Sequence, residues 1–198
     1  MRTRRGFRGR TFGSTGQSLV EFALVLPLIL VVVMGVIEVG YALLDLHGVT
    51  KLTREGANMI SRDTSPQDAV TALESMTTRS LDFSKNATVI LSVIKMGSTT
   101  GTTNFGMEVL YQRYQFGTLS NPSKLNTKGT GSFGGAPDYQ AANSDNDASL
   151  QVTNLPANLV GAGGMIYVTE VYATHTLITP FDRLGITLPK TLYSIAYF

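Results

Sequence analysis

Gly16-Gln17-Ser18-Leu19-Val20-Glu21-Phe22 opens the stretch of sequence on which the fold turns. An uncharged run from Phe22 to Ile37 follows at once. As a helix it spans about 24 Å at 1.5 Å per residue. Leu19, Val20 and the segment Val39 to Leu44 extend it to membrane length, with Glu21 and Glu38 as the charges to be tolerated. In front of Gly16 stand Arg2, Arg4, Arg5, Arg8 and Arg10, with no acidic residue among them. Such a basic flank is expected to stay in the cytoplasm, which puts the C-terminal part of the chain outside. A secretory signal is cut at small residues after its apolar run. Here the suitable small residue, Gly16, precedes the run, so a cut there leaves the helix on the product.

The residues within this helix each admit two readings. Ser18-Leu-Val-Glu21 fits a capping box, in which the glutamate satisfies an N-terminal backbone donor and complements the helix dipole. A carboxylate at a membrane edge is also costly and calls for a counter-charge. A cut after Gly16 would make one, the α-amino group of Gln17, four residues from Glu21. Pro27 removes a donor and either kinks the helix for packing or is a tolerated membrane proline. Gly35 lies inside the same span. Glu38 either faces a partner helix or, as favoured here, marks the outer boundary with Tyr41 as interfacial anchor.

A glycine before the cut and a glutamate five positions on resemble the class III signals of type IV pilins and pseudopilins. Gly16 through Leu28, continuing to Gly35-Val-Ile-Glu-Val-Gly-Tyr41, is similar to the TadE family, minor pseudopilins of the tight-adherence (Flp) pilus. Thr53-Arg54-Glu55-Gly56-Ala57 resembles that family's helix continuation, and Val168 to Tyr172 with Leu177 to Pro180 its closing strand. The resemblance is carried by residues 13 to 60. It implies a prepilin peptidase cutting between Gly16 and Gln17, and a docking role for Glu21 with Phe22 beside it. It also implies pilin or pseudopilin subunits, an inner-membrane assembly platform and membrane lipid as partners. The fold it implies is pilin-like α+β.

Composition is consistent with one anchor and one further domain in 198 residues. Of the sixteen basic residues five are the leader arginines, so beyond Gly16 eleven face fourteen acidic ones, a net of −3. No nucleic-acid partner is expected from that balance. With no cysteine there is no disulfide and no thiolate metal site.

Three segments are therefore expected: a leader at 1–16, a transmembrane and continuing helix at 17–62, and an extracytoplasmic α+β domain at 63–198. The helix continues through Leu44, Val49, Leu52, Ala57 and Ile60, with Gly40, Gly48 and Gly56 placed for close packing. Thr64-Ser65-Pro66 ends it, and Ser65 and Pro66 start a second helix reaching Leu81, with Val70, Leu73 and Met76 on its core face. Period-two patterns predict strands at Val89 to Ile94, Val109 to Phe116, Met165 to Ile178 and Thr191 to Phe198, the first two joined by a long turn at Gly97 to Asn104. Residues 117 to 148, rich in Gly, Ser, Asn, Thr and Asp, read as a long polar loop or poorly ordered excursion. The sum is a long membrane helix continuing into a soluble domain with a small antiparallel sheet.

Patterns of enzyme chemistry are present only as spellings. Gly129-Thr-Gly131-Ser-Phe-Gly134 lacks the strand and helix that a dinucleotide loop needs. Ser92-Val-Ile-Lys95 lies in an alternating strand, which separates serine and lysine onto opposite faces. Asn143, Asp145 and Asp147 lack the glycine and distal glutamate of a calcium loop. His47 and His175 stand far apart and read as structural or interfacial. No cofactor, metal or catalytic set is expected. The leading expectation is a minor pseudopilin; a membrane-tethered binding or adhesion module and a tethered envelope hydrolase are the competing ones.

Overall fold

A computed structural model of the protein describes residues 14–78, 80–156, 159–185, 187 and 189–198. The leader arginines Arg2, Arg4, Arg5, Arg8 and Arg10 lie outside these residues. The chain divides into two compact units, one up to Gly40 and one from Tyr41 to Phe198. Helix α1 runs from Ser14 to Ser61 with Pro27 inside it, and α2 from Pro66 to Ser75. Four antiparallel strands follow, β1 (Ala87–Met96), β2 (Glu108–Gly117), β3 (Met165–Thr174) and β4 (Thr191–Tyr197), in the spatial order β2-β1-β3-β4. Helix and sheet together give the α+β layout expected from periodicity.

Among its described residues the first unit is helix alone. Its side chains from Gly16 to Val32 are exposed on every side, including Leu24 at 74% and Leu28 at 66%. A helix that is apolar all round calls for a nonpolar surrounding rather than water.

In the second unit α1 stops by a C-terminal turn rather than by the proline. Thr64 N–H donates to Met59 O and Asp63 N–H to Ile60 O, while Asp63 takes the left-handed conformation at φ 67°. This is the Schellman pairing, with aspartate where glycine is usual. Pro66 is then free to be the first residue of α2, and Ser65 caps it by accepting from Asp68 N–H at 3.2 Å. α2 is shorter than its periodicity predicts. After Ser75 the chain turns, and Thr78 and Leu81 exchange backbone hydrogen bonds at 3.1 Å. That turn lets Leu81 and Phe83 enter the core, while Met76, expected to face it, stays 37% exposed.

β1 is buried from Ala87 to Ile94 on both faces. Its odd positions Ala87, Val89 and Leu91, with Val171 and Ala173 of β3, pack on Val49, Leu52 and Ile60 of α1 and on Val70 and Leu73 of α2. On the other face Ile94, Leu110 and Val168 meet Leu125, Ala141 and Leu150. The long polar segment 117–148 contributes Leu125 and Ala141 to the cover of the sheet's second face. β3 ends at Thr174, four residues short of the predicted Ile178.

Of the three spaced glycines, Gly56 carries the close contact. A Cβ there would lie 2.8 Å from Thr169 Cγ2 and 3.2 Å from Leu73 Cδ1, whereas Gly40 meets nothing and Gly48 only Leu81 at 3.9 Å. Thr169 Oγ1 opposite it is buried with no hydrogen-bond partner. Gly56→Ala is expected to cost about 1–3 kcal/mol by overpacking, with part recovered in Gly56→Ala/Thr169→Ala. Thr169→Val should instead stabilise by about 1 kcal/mol, since it deletes an unsatisfied polar atom. Urea unfolding of the full-length protein in micelles measures all three.

Candidate functional site

Every described residue of the expected processing and docking element lies on α1. Gly16 is in open space, and no atom lies within 4 Å of where its Cβ would be. Gln17 Nε2 donates to Glu21 Oε1 at 2.9 Å, one turn along the helix. Because α1 begins at Ser14, Ser18 is inside the helix and does not act as its N-cap. The Gln17 side-chain amide thus meets Glu21 within the helix. Phe22 is 59% exposed beside it. Pro27 is accommodated within a continuous helix, and Gly35 lies one turn before the next carboxylate, Glu38. Glu38 is 1% exposed, while Ile37 and Val39 next to it are 44% and 56% exposed. Tyr41 is 48% exposed and lines a cleft of about 550 Å³ with Leu44, Ser80, Asn86 and His175.

His175 follows β3 directly, and its Nδ1 lies 2.6 Å from Asp45 Oδ2, the histidine being 3% exposed. It therefore ties the sheet to α1. The other decoys have structural partners too. Gly129 and Gly134 spend their amide donors on Ser149 O and Gln140 O, both at 2.8 Å. Asp147 caps the short 3₁₀ turn Ala148–Leu150 through Ser149, while Asp145 meets Lys95 and Thr99. Among the described residues no group of three His, Cys, Asp or Glu could hold a metal ion.

The structure also assembles a polar cluster that sequence reasoning missed. Glu170, in the middle of β3, is fully buried. Its Oε1 accepts from Lys124 N–H at 2.7 Å and from the Tyr193 hydroxyl at 2.9 Å, and its Oε2 accepts from the Ser123 hydroxyl. Arg113 Nη2 donates to Ser123 Oγ at 3.1 Å and its Nε to Ser92 Oγ at 3.3 Å. Tyr172 donates to Pro122 O at 2.9 Å. Burial lowers the Arg113 pKa while the Glu170 charge opposes that shift. Burial, then the Glu170 charge, raises Tyr193 well above the usual phenol range. The cluster pins residues 122–125 across the sheet. Its one signal in the sequence is a lone glutamate amid the buried-strand residues Val168 to Tyr172.

An α+β domain carried on one helix long and apolar enough to cross a membrane, with a mean hydropathy of 2.8 over its most apolar window, defines the class: a membrane anchor with a C-terminal domain. Within that class, residues 16–58 match the family described as TadE-like protein. No curated protein and no solved structure matches the chain.

Glu170→Gln is expected to destabilise by about 1–3 kcal/mol, because a buried carboxylate that accepts from a backbone amide and two hydroxyls is replaced by an amide whose NH2 has no acceptor there; chemical denaturation checks this. The tyrosines set an alkaline limb. Folded Tyr193 holds its proton above the unfolded value of about 10, and Tyr114 is pushed up to about 12 chiefly by burial, then by Tyr139. Between those values the folded state binds more protons, so stability is complete below about pH 10 and falls above it. Tyr193→Phe should make that fall shallower in a pH series of thermal melts.

Proposed function

We propose that this protein is a minor pseudopilin that is cut after Gly16 by a prepilin peptidase and then assembles into, or primes, a tight-adherence type IV-like pilus. The TadE-like match over residues 16–58 supports the pilus system. The observation that carries the finer reading is the exposed Gly16 to Phe22 segment at the head of a membrane-length helix. In this proposal the five leader arginines hold the N-terminus in the cytoplasm, and the domain beyond Tyr41 lies outside the inner membrane. The peptidase needs a small residue before the cut, and Gly16 supplies it.

Hydrolysis of the Gly16–Gln17 peptide bond leaves a carboxylate on Gly16 and turns the backbone nitrogen of Gln17 into an ammonium group. A carboxylate drawn into a bilayer costs several kcal/mol unless it is paired. Glu21 of one subunit therefore gains most by meeting the new ammonium of another, and the helix enters the filament only when that pair forms. Phe22 completes the recognition element, and Pro27 and Gly35 adapt the helix to its neighbours. No step of this role requires a cofactor or a catalytic residue in this chain, which acts as the peptidase's substrate. The size of the domain beyond α1 favours a minor or initiating subunit over the repeating shaft subunit.

N-terminal sequencing of the membrane-extracted protein, from cells with and without the peptidase, tests the route. A start at Gln17 only when the peptidase is present is the expected result. A start at Met1 or Arg2 in both strains would overturn it and favour a tethered binding module. Gly16 substitutions should block maturation. Glu21→Ala should leave substantial cleavage but abolish piliation, and normal pili on that variant would sink the docking role.

A further inference from the structure

We propose that β4 is a self-pairing edge, by which two copies of this protein join their sheets antiparallel about a two-fold axis. The sheet order leaves β2 and β4 at its edges. The chain itself closes the first of these. Ala141 N–H bonds Tyr111 O, Arg113 N–H bonds Tyr139 O and Val152 N–H bonds Glu108 O, with bridges at Gln112–Gln140 and Val109–Gln151.

β4 is different. Phe198 and Tyr167 exchange backbone hydrogen bonds at 2.9 and 2.8 Å, and His175 N–H meets Lys190 O at 2.7 Å. With the register Val168–Tyr197 to Thr174–Thr191, this phase turns the even residues Leu192, Ser194, Ala196 and Phe198 toward β3. Thr191, Tyr193, Ile195 and Tyr197 therefore point their N–H and C=O groups away from the sheet. Among the described residues none of these four has a backbone partner on that side.

Natural edges carry charges, prolines or bulges that discourage pairing. From Thr191 to Phe198 there is no charge and no proline, and the pairing with β3 is regular throughout. The neighbouring Lys190 is engaged with Asp182 at 2.9 Å. A row of unpaired backbone groups demands an extended strand as its occupant, and this strand's own sequence suits it. Setting Ser194 opposite Ser194 of the second copy brings outward residues against outward residues, so each N–H meets a C=O. Tyr193 then faces Ile195 of the second copy and Thr191 faces its Tyr197, aromatic and β-branched pairs that stabilise antiparallel ladders. No like charges meet. β4 also offers no charge by which a different partner strand would be selected. With β2 closed, the association stops at two copies rather than growing into a ribbon.

The absence of cysteine makes the test direct. Ser194 would form a non-hydrogen-bonded pair with itself, at a Cα separation of about 4.5 Å, inside the disulfide range. Ser194→Cys in the full-length protein, oxidised in native membranes, is expected to give a disulfide homodimer. Leu192→Cys alone should not, whereas Leu192→Cys/Ala196→Cys should. Adding Thr191→Pro, which removes an outward N–H, and Tyr197→Lys, which puts a charge at the edge, both at exposed positions, should cut the Ser194→Cys cross-link at least about fivefold with the thermal midpoint retained. Lack of a homodimer, equal cross-linking from Leu192→Cys alone, or a cross-link only to a different protein overturns the proposal. The same measurement in cells lacking the peptidase separates it from the processing route, since pairing through β4 does not require the cut.

Discussion

Because β1 is apolar or buried at both odd and even positions, the sheet has to be covered twice, and the rest of the domain is organised by that requirement. One cover is helical: the last turns of α1 and the core face of α2 lie on Val89, Leu91 and Val171. The other cannot be helical, since residues 117–148 lack a helical apolar period. It is a loop that contributes a few buried apolar groups, Leu125 and Ala141 among them, and fastens itself with polar contacts. Thr88 and Leu119 exchange hydrogen bonds at 2.7 and 2.9 Å, and the Glu170 cluster holds the next few residues. Asn104, fully buried, ties the β1–β2 turn to Ser144, Asp147 and Gln151. A segment with so little apolar surface stays ordered because polar bonds replace the packing it lacks.

The helical cover constrains the sequence of α1 most tightly at Gly56. There the helix backbone approaches Thr169 closely enough that any side chain would collide. The same helix has opposite demands along its length. From Phe22 to Val33 it is apolar and exposes what it carries, whereas Val49, Leu52, Ala57 and Ile60 form a stripe that the sheet domain buries. Glu38 and Asp45 fall near the change from one regime to the other. Asp45 is tied to His175 across 130 residues of sequence.

Legibility followed from how local each signal was. The anchor, the capped start of α2 and all four strands depend on neighbours within a few residues, and periodicity found them. Ser92 and Lys95 also keep to opposite faces of β1, so the serine binds Arg113 and the lysine lies 4.5 Å over Tyr111. Periodicity misjudged the end of α2, because it registers Leu81 as helical spacing and cannot see a two-residue exchange at Thr78. It also ascribed the end of α1 to Thr64-Ser65-Pro66, where the left-handed Asp63 had already stopped the chain. The Glu170 cluster was illegible for a different reason. Its carboxylate and Ser123 are 47 residues apart, and Tyr193 is 23 residues further on. Their meeting is a property of the register between β3 and β4 and of the loop's path, and no spacing along the chain encodes it.

Two carboxylates show how burial can be met in different ways. Glu170 is enclosed, and its own domain supplies a backbone amide, two hydroxyls and a nearby guanidinium, so its charge is settled within one subunit. Glu21 sits on a helix whose other groups are apolar, and the bond it makes among the described residues comes from the Gln17 side chain. A carboxylate has room for about four hydrogen bonds. In water the rest are met by solvent; in a bilayer they must come from another group. The helix around Glu21 offers no cation of its own between Gly16 and Leu46. Whatever balances that charge in a membrane must therefore be brought to it, and the ammonium group of the proposed docking step is a group of the right sign that processing itself would create.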